Sequence, residues 1–255
     1  MELGNRRLRA SVWMTSLAMA GVLLFGQLGR WQWHRAAEKR ALAAAFAAST
    51  AAAATELGTR PIAALPRYTL LRVRGRYDGA HQFLLDNIIR DGAVGYEVLT
   101  PLQLEDGRIL MVNRGWLPLP GGRREPLPDV ALPSAQVEGS APISASVPAE
   151  ISGRIDELPV TGISMGRAPP DMGPSWPKRT SFPTAAQLGA ALGQRIEPRE
   201  LLLAAAEPMG YRRDWEPRGN GFGPSRHVAY ALQWWSFGAL TLFLYFFMNI
   251  ERRKP

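Results

Sequence analysis

His227, Tyr230 and Trp234 stand at i, i+3 and i+7 at the head of an apolar run, and that spacing puts all three on one face of a helix. An imidazole backed by aromatic rings at the edge of a hydrocarbon layer suits an axial haem ligand, and Arg226 beside it suits a propionate. The alternative is an interfacial histidine that hydrogen-bonds water or lipid headgroups. From Val228 to Ile250 the chain carries no charge, and Glu251, Arg252, Arg253 and Lys254 then close the run. This matches the roughly 20 apolar residues needed to cross about 30 Å of hydrocarbon.

Other chemistry is sparse. With no Cys in 255 residues, disulfides, thiolate metal sites, a CxxC redox motif and covalent c-type haem attachment are all excluded. Metal or haem chemistry falls to His34, His81, His227, carboxylates, Met or Tyr. No clustered Met-His motif supports copper handling, and no non-haem metal site is expected. Gly219, Gly221 and Gly223 are spaced G-x-G-x-G, but an apolar membrane run follows, so they read as a linker. There is no P-loop, G-x-S-x-G or H-E-x-x-H. Asp78, Asp86, Asp91 and Glu97 lie near turns and are explained by turn chemistry. No catalytic centre is visible, so a non-enzymatic role is expected. Arg72, Arg74 and Arg76 alternate along one strand face, which is either solvated or a docking surface for acidic protein or lipid phosphate.

The elements that must position these residues begin with a second apolar run, Ala10 to Leu28, preceded by Arg6, Arg7 and Arg9. It is longer than a signal h-region and no small-x-small site follows it, so an uncleaved anchor is expected. If the two membrane helices are antiparallel, Trp31, His34 and Arg35 approach His227, with His34 a candidate second ligand. Positive charge flanks both ends of the first helix. The long intervening segment and the basic tail place both termini in the cytoplasm and the central domain outside. Trp31, Trp33, Tyr230, Trp234 and Trp235 then fall at the outer interface. The net charge of +8 suits anionic lipid better than nucleic acid in a chain with two spans, and no nucleic-acid partner is expected.

Between the spans, Ala36 to Ala54 is Ala-rich and reads as a helical stalk that stops at Thr59-Arg60-Pro61. Period-two alternation over Thr69 to Tyr77 and over Val94 to Thr100 predicts strands, and Phe83 to Asn87 reads as another between them. Asp78-Gly79, Asp91-Gly92 and Asp106-Gly107 mark turns, the last before a strand from Arg108 to Trp116. A Pro/Gly-rich loop from Pro118 to Pro133, a strand at Gln136 to Ile143 and an irregular stretch from Ile151 to Pro177 are expected next. Thr184-Ala185-Ala186-Gln187 is a capping box for a short helix ending near Gly193, and Glu200 to Ala205 returns as a last strand. The expected organisation is a cytoplasmic 1–9, a span at 10–29, a stalk at 30–60, an external mainly-β domain at 61–217, a linker at 218–226, a span at 227–249 and a basic tail at 250–255. The fold class is therefore an α+β membrane protein. Its two helices flank one mainly antiparallel β domain with a short helix.

Three blocks carry a family likeness: Leu28-Gly29-x-Trp31-Gln32-x-x-Arg35 with Lys39; Gly75-x-Tyr77-Asp78, Leu85-Asp86-Asn87, Gly95-Tyr96-x-Val98-Leu99-Thr100-Pro101-Leu102 and Val112-Asn113-Arg114-Gly115-Trp116; and His227-x-x-Tyr230-Ala231-x-Gln233-Trp234. In these the chain resembles the surfeit locus protein 1 family, assembly factors for haem-copper cytochrome c oxidase. Where the family commonly has Arg after Asp-Asn, this chain has Ile88, with Arg90 two places on. The resemblance implies haem a as cofactor, His227 as iron ligand, and a role in biogenesis of oxidase subunit I. Subunit I is then the expected partner, with haem A synthase a candidate. Tyr230, Trp31 and Trp234 become candidate pocket walls, Arg226 and Arg35 candidates for the propionates. Gly95, Tyr96, Asn113, Arg114, Gly115 and Trp116 are docking or structural residues of the β domain. A scaffold that stabilises a subunit I intermediate without haem is the alternative. Lacking an Arg/Ser-rich amphipathic transit peptide, the chain is expected in a bacterial inner membrane, its central domain periplasmic.

Overall fold

A computed structural model describes residues 2–3, 6–8, 11–119, 126–132, 146–160, 167–217 and 222–252, with backbone only for 2–3, 6–8 and 251–252. The strand expected at Gln136 to Ile143 and the linker residues Gly219-Asn220-Gly221 lie outside these residues. The chain divides into two units, 1–43 with 221–255, and 44–220.

In chain order the elements are β1 (Glu2–Leu3), β2 (Arg6–Leu8), α1 (Val12–Ala51), β3 (Thr55–Glu56), a 3-10 turn (Ile62–Ala64), β4 (Leu70–Asp78), β5 (Phe83–Arg90), β6 (Ala93–Leu104) and β7 (Ile109–Pro118). They continue with β8 (Ser146–Glu157), β9 (Lys178–Thr180), α2 (Ala185–Leu192), β10 (Arg199–Leu203), α3 (Pro224–Asn249) and β11 (Ile250–Arg252). Both α1 and α3 are long and apolar enough to cross a membrane. At 40 residues α1 is about 60 Å long, roughly twice the hydrocarbon thickness. It is unbroken through the Ala-rich stretch, because Ala and charged straight-chain residues hold a helix without packing. It stops at Ala51, and Thr55–Glu56, expected in a helical stalk, instead pairs parallel to β4.

The first unit is a helical hairpin. Residues 15, 18, 22, 25, 29 and 32 are among the covered positions of α1, and 227, 231, 234, 238, 241 and 245 among those of α3. Both series step by three and four, the 3.5-residue repeat of left-handed helix packing. The partners confirm an antiparallel match. Thr15 Oγ1 and Tyr245 Oη are 2.8 Å apart, and a Cβ on Gly21 would touch Thr241 at 3.3 Å. Phe25 stacks on Trp234 with centroids 5.9 Å apart. At the far end of the hairpin β11 pairs antiparallel with β2, and β1 with β2.

The second unit is a sheet ordered β3-β4-β8-β10-β7-β6-β5-β9. The long β6 pairs through its first half with β5 and through Leu102–Leu104 with β4, so β4, β8, β10, β7 and β6 close into a barrel. Pairing is antiparallel except at β3–β4, β7–β10 and β5–β9. β7 is the central strand, buried almost throughout. Leu110 and Val112 face the barrel core with Leu71, Val73, Tyr77, Ile151 and Leu201, while Ile109 and Met111 pack with Phe83 and Leu188 beneath α2. Asp91 (φ 48°) and Gly92 (φ 78°) form the two-residue β5–β6 turn that an Asp-Gly pair accommodates. α2 begins on the Thr184–Gln187 capping box and ends on Gly193 in the left-handed conformation.

The irregular stretch expected from Ile151 is a correction, since β8 runs for 12 residues and is the neighbour of both β4 and β10. Pro148 and Gly153 hide it in the sequence. Pro148 lies where β8 has β4 on one side and no β10 residue on the other, so its missing N–H costs the ladder little. Arg72, Arg74 and Arg76 do share one face, and partners from their own sheet meet them. Arg74 Nε donates to Glu150 Oε2 at 3.1 Å, Arg72 lies 3.9 Å from Glu56, and Arg76 Nε donates to Ser146 Oγ at 3.0 Å. This is a solvated, internally paired face. The Arg74 hydrogen bond holds the Glu150 carboxyl below its usual range.

Burial in the barrel pushes the Tyr77 phenol above its usual range. The proton is then held more tightly in the folded chain. This contribution is complete below the unfolded value of about 10 and is lost as pH rises beyond it. Tyr77→Phe is expected to flatten the alkaline arm of the stability curve, read from denaturation midpoints between about pH 9 and 11.

Candidate functional site

His227 lies in the first turn of α3, and its position in the helix seam comes from sequence: Pro224 opens the helix, and the apolar face that follows turns the imidazole towards α1. There His227 Nδ1 is 2.6 Å from Gln32 Oε1, across 195 residues of chain. The imidazole is half-buried and clamped through Nδ1. Gly29, one turn before Gln32, is buried because Trp235 lies against its backbone, and any Cβ there would overlap the indole. Gly29 therefore lets the helices approach closely enough for Gln32 to reach His227.

Gly29→Val is expected to force Trp235 out or the helices apart. Because the chain has no Cys, a Thr15→Cys/Tyr245→Cys pair, bridged by a short thiol-reactive cross-linker that spans the length of the lost Tyr245 ring, reports the seam. Its cross-linking yield should fall several-fold, on the order expected when a packed contact is displaced, while Gly26→Val, with nothing within 4 Å, leaves it unchanged.

The surface around this clamp is aromatic. Tyr230, Trp33, Trp235 and Phe222 all remain exposed at the ends of the two helices. Tyr230 lies 6.2 Å from the Phe222 ring, and Trp33 is 5.8 Å from Trp235. Trp234 is different: its ring fills the seam between Phe25 and Phe237. Trp31 is 53% exposed. The cations have local partners, with Arg226 4.6 Å above the Phe222 ring and Arg35 2.9 Å from Glu38. His34 is two residues past Gln32, hence on the opposite side of α1, and its Nε2 accepts from Arg30 at 3.4 Å. The structure thus brings His227 to Gln32, and not to Trp31, His34 or Arg35. In the sequence Gln32 is a motif position without a partner, because it reads as one more interfacial amide. The signal was its spacing, three residues after a glycine on an otherwise bulky apolar face.

The motif residues of the β domain lie in its interior. Asn113 on β7 donates through Nδ2 to Glu97 Oε2 at 2.8 Å and to Glu200 Oε2 at 3.1 Å. Its Oδ1 accepts from the Gly115 amide at 3.1 Å. Glu97 and Glu200 are 2% and 0% exposed. Arg90 neutralises Glu97 at 3.1 Å, so the arginine two places late in the motif has a defined partner. Arg114 donates to Gln82 Oε1 (2.9 Å), the Met209 carbonyl (2.7 Å) and the Val130 carbonyl (3.2 Å). Burial pulls its guanidinium below the ordinary arginine range, with the Tyr211 ring 5.1 Å away.

Pairing of β6 with β7 slips at this motif, and Gly115 takes φ 110° in the resulting bulge, where a Cβ would lie 2.6 Å from the Arg212 carbonyl. Trp116 Nε1 donates to the Ile88 carbonyl at 2.9 Å, and its ring lies over Gly95, which has no room for a side chain. Tyr96 is buried with Leu84 and Val98. Glu97, read from sequence as a turn residue, is a buried member of this network, a correction that follows from its inward register on β6. These side chains are buried within the β domain, where they hold the bulged strand.

A family model described as the SURF1 family matches residues 18–239, which takes in both the helix clamp and the buried network. No curated protein matches the chain.

Proposed function

We propose that this chain, which belongs to the SURF1 family of cytochrome c oxidase assembly factors, binds haem a at the outer face of a bacterial inner membrane and passes it to nascent oxidase subunit I. The observation that carries the reading is the half-buried imidazole of His227, held against the first helix at the mouth of the hairpin. When bound, haem would supply an iron that His227 would hold through an imidazole nitrogen. The donor set fits such a cargo. Nδ1 of the imidazole is clamped, and exposed aromatic faces at Tyr230 and Trp31 stand at the same end of the hairpin to cover a flat macrocycle. Trp234 backs the site from within the seam, and Arg226 and Arg35 are the cations for the propionates.

Both termini lie in the cytoplasm and the β domain in the periplasm. The pairing of β2 with β11 supports placing the two termini on one side, and the basic residues of both termini support the cytoplasm as that side. Haem A synthase is the candidate donor and subunit I the acceptor. The test is haem content of the full chain purified from cells that make haem a and from cells that do not. The first preparation should carry the haem a absorption bands and the second should lack them. Two identical haem-free preparations would overturn the haem reading in favour of a scaffold for subunit I.

A further inference from the structure

We propose that Gln32 is the positioning residue of His227: its side-chain oxygen fixes the imidazole as the Nδ1–H tautomer, so that Nε2 is the atom offered to iron. The second half of this statement rests on the haem reading above, and the first does not.

An amide oxygen only accepts hydrogen bonds, so at 2.6 Å from Gln32 Oε1 it is His227 Nδ1 that donates. A neutral imidazole has one N–H. Placing it on Nδ1 leaves the Nε2 lone pair in the ring plane, pointing away from Gln32. Without an acceptor the two tautomers of a half-buried histidine differ little, and the ring turns about its side-chain torsions. With Gln32 in place the tautomer and the ring plane are set together, the role that outer partners play for metal-bound histidines. The device depends on helix pairing, because the histidine comes from α3 and the acceptor from α1. Gly29 admits the Trp235 indole one turn away and so keeps the two backbones within reach. Among the described residues His34 has no such partner on α3; it lies on the other side of α1, where its Nε2 accepts from Arg30 at 3.4 Å.

The experiment uses the full chain in lipid nanodiscs, labelled with nitrogen-15 histidine, with the His227 resonances assigned by their loss in His227→Ala. Without haem, the wild type should show protonated Nδ1 and unprotonated Nε2 at His227. Gln32→Leu keeps the volume and removes the acceptor. It should give averaged tautomer signals and bind added haem a about 10–100-fold more weakly. Gln32→Glu restores an acceptor at the same place and should recover both the tautomer and the affinity. A purely structural Gln32 predicts that Leu serves as well as Glu and that the nitrogen shifts do not move. Protonated Nε2 in the wild type, or a Gln32→Leu protein with wild-type shifts and affinity, overturns the proposal. A wild type with the stated tautomer that takes up no haem a supports the Gln32 assignment and overturns the functional reading.

Discussion

His227→Ala is expected to remove bound haem a while leaving the protein folded and in the membrane. Outer partners of a metal-bound histidine are typically worth 10–100-fold in affinity, so loss of the ligand itself should cost at least on the order of 100-fold. The structural cost is small by comparison. The substitution deletes one half-buried side chain and frees Gln32 Oε1, which sits at the mouth of the hairpin where water or headgroups replace the imidazole. The rest of the seam, from Phe25–Trp234 to Thr15–Tyr245, is untouched. An unmade hydrogen bond that water can satisfy costs about 0.5–1.5 kcal/mol at most. Absorption spectra and extracted haem content of the two proteins, prepared side by side, decide the matter. Equal haem content in the mutant would move the ligand elsewhere and sink the assignment.

Asn113→Ala is expected to be the most damaging single change in the β domain. The Asn113 amide bridges Glu97 and Glu200, both buried, and Arg90 pairs with Glu97. Removing the amide withdraws one donor from each carboxylate and the acceptor that holds the Gly115 N–H in the bulge. A buried polar group that loses one of its partners costs about 1–3 kcal/mol, more when charged, so a loss of about 2–4 kcal/mol is expected over the three groups. For a domain of this size that is a fall on the order of 5–15 °C in Tm. Adding Glu200→Gln should return part of the loss, because it removes the charge that Asn113 no longer serves. A fall of less than about 2 °C, or strictly additive effects of the two changes, would show that the network does not hold the strand. The same buried geometry explains why a motif as distinctive as Asn-Arg-Gly-Trp need not touch any partner. Its residues are specified by a bulge, a positive φ and a cluster of buried polar groups that must satisfy one another.

The departure at Ile88 illustrates how far residues could be read alone. The sequence showed that an arginine was two places from its usual position, and offered Arg90 as a stand-in. On β5 the chain bulges at Asp86-Asn87, with Asn87 at φ 66°, and Arg90 then reaches Glu97 across the strand pair. Whether an arginine at either position could find that carboxylate depends on the bulge, and strand alternation alone does not reveal it.

The sequence by itself determined what is local. Length and the absence of charge set the two spans, Asp-Gly pairs set the tight turns, alternation set β4 and the first half of β6, and Thr184 with Gln187 set the start of α2. Each is a preference of a few neighbouring residues, complete within one window. Only the tertiary structure decided what depends on distant pairing: that β8 survives Pro148 between β4 and β10, that β7 and β10 run parallel, and that Glu97 and Glu200 meet at Asn113. It also decided that the partner of His227 is Gln32. One face of α1 had to be chosen out of several polar possibilities, and the choice was made by helix packing. A glycine where Trp235 needs space fixes the rotation of the two helices, and that rotation turns Gln32 inward and His34 away.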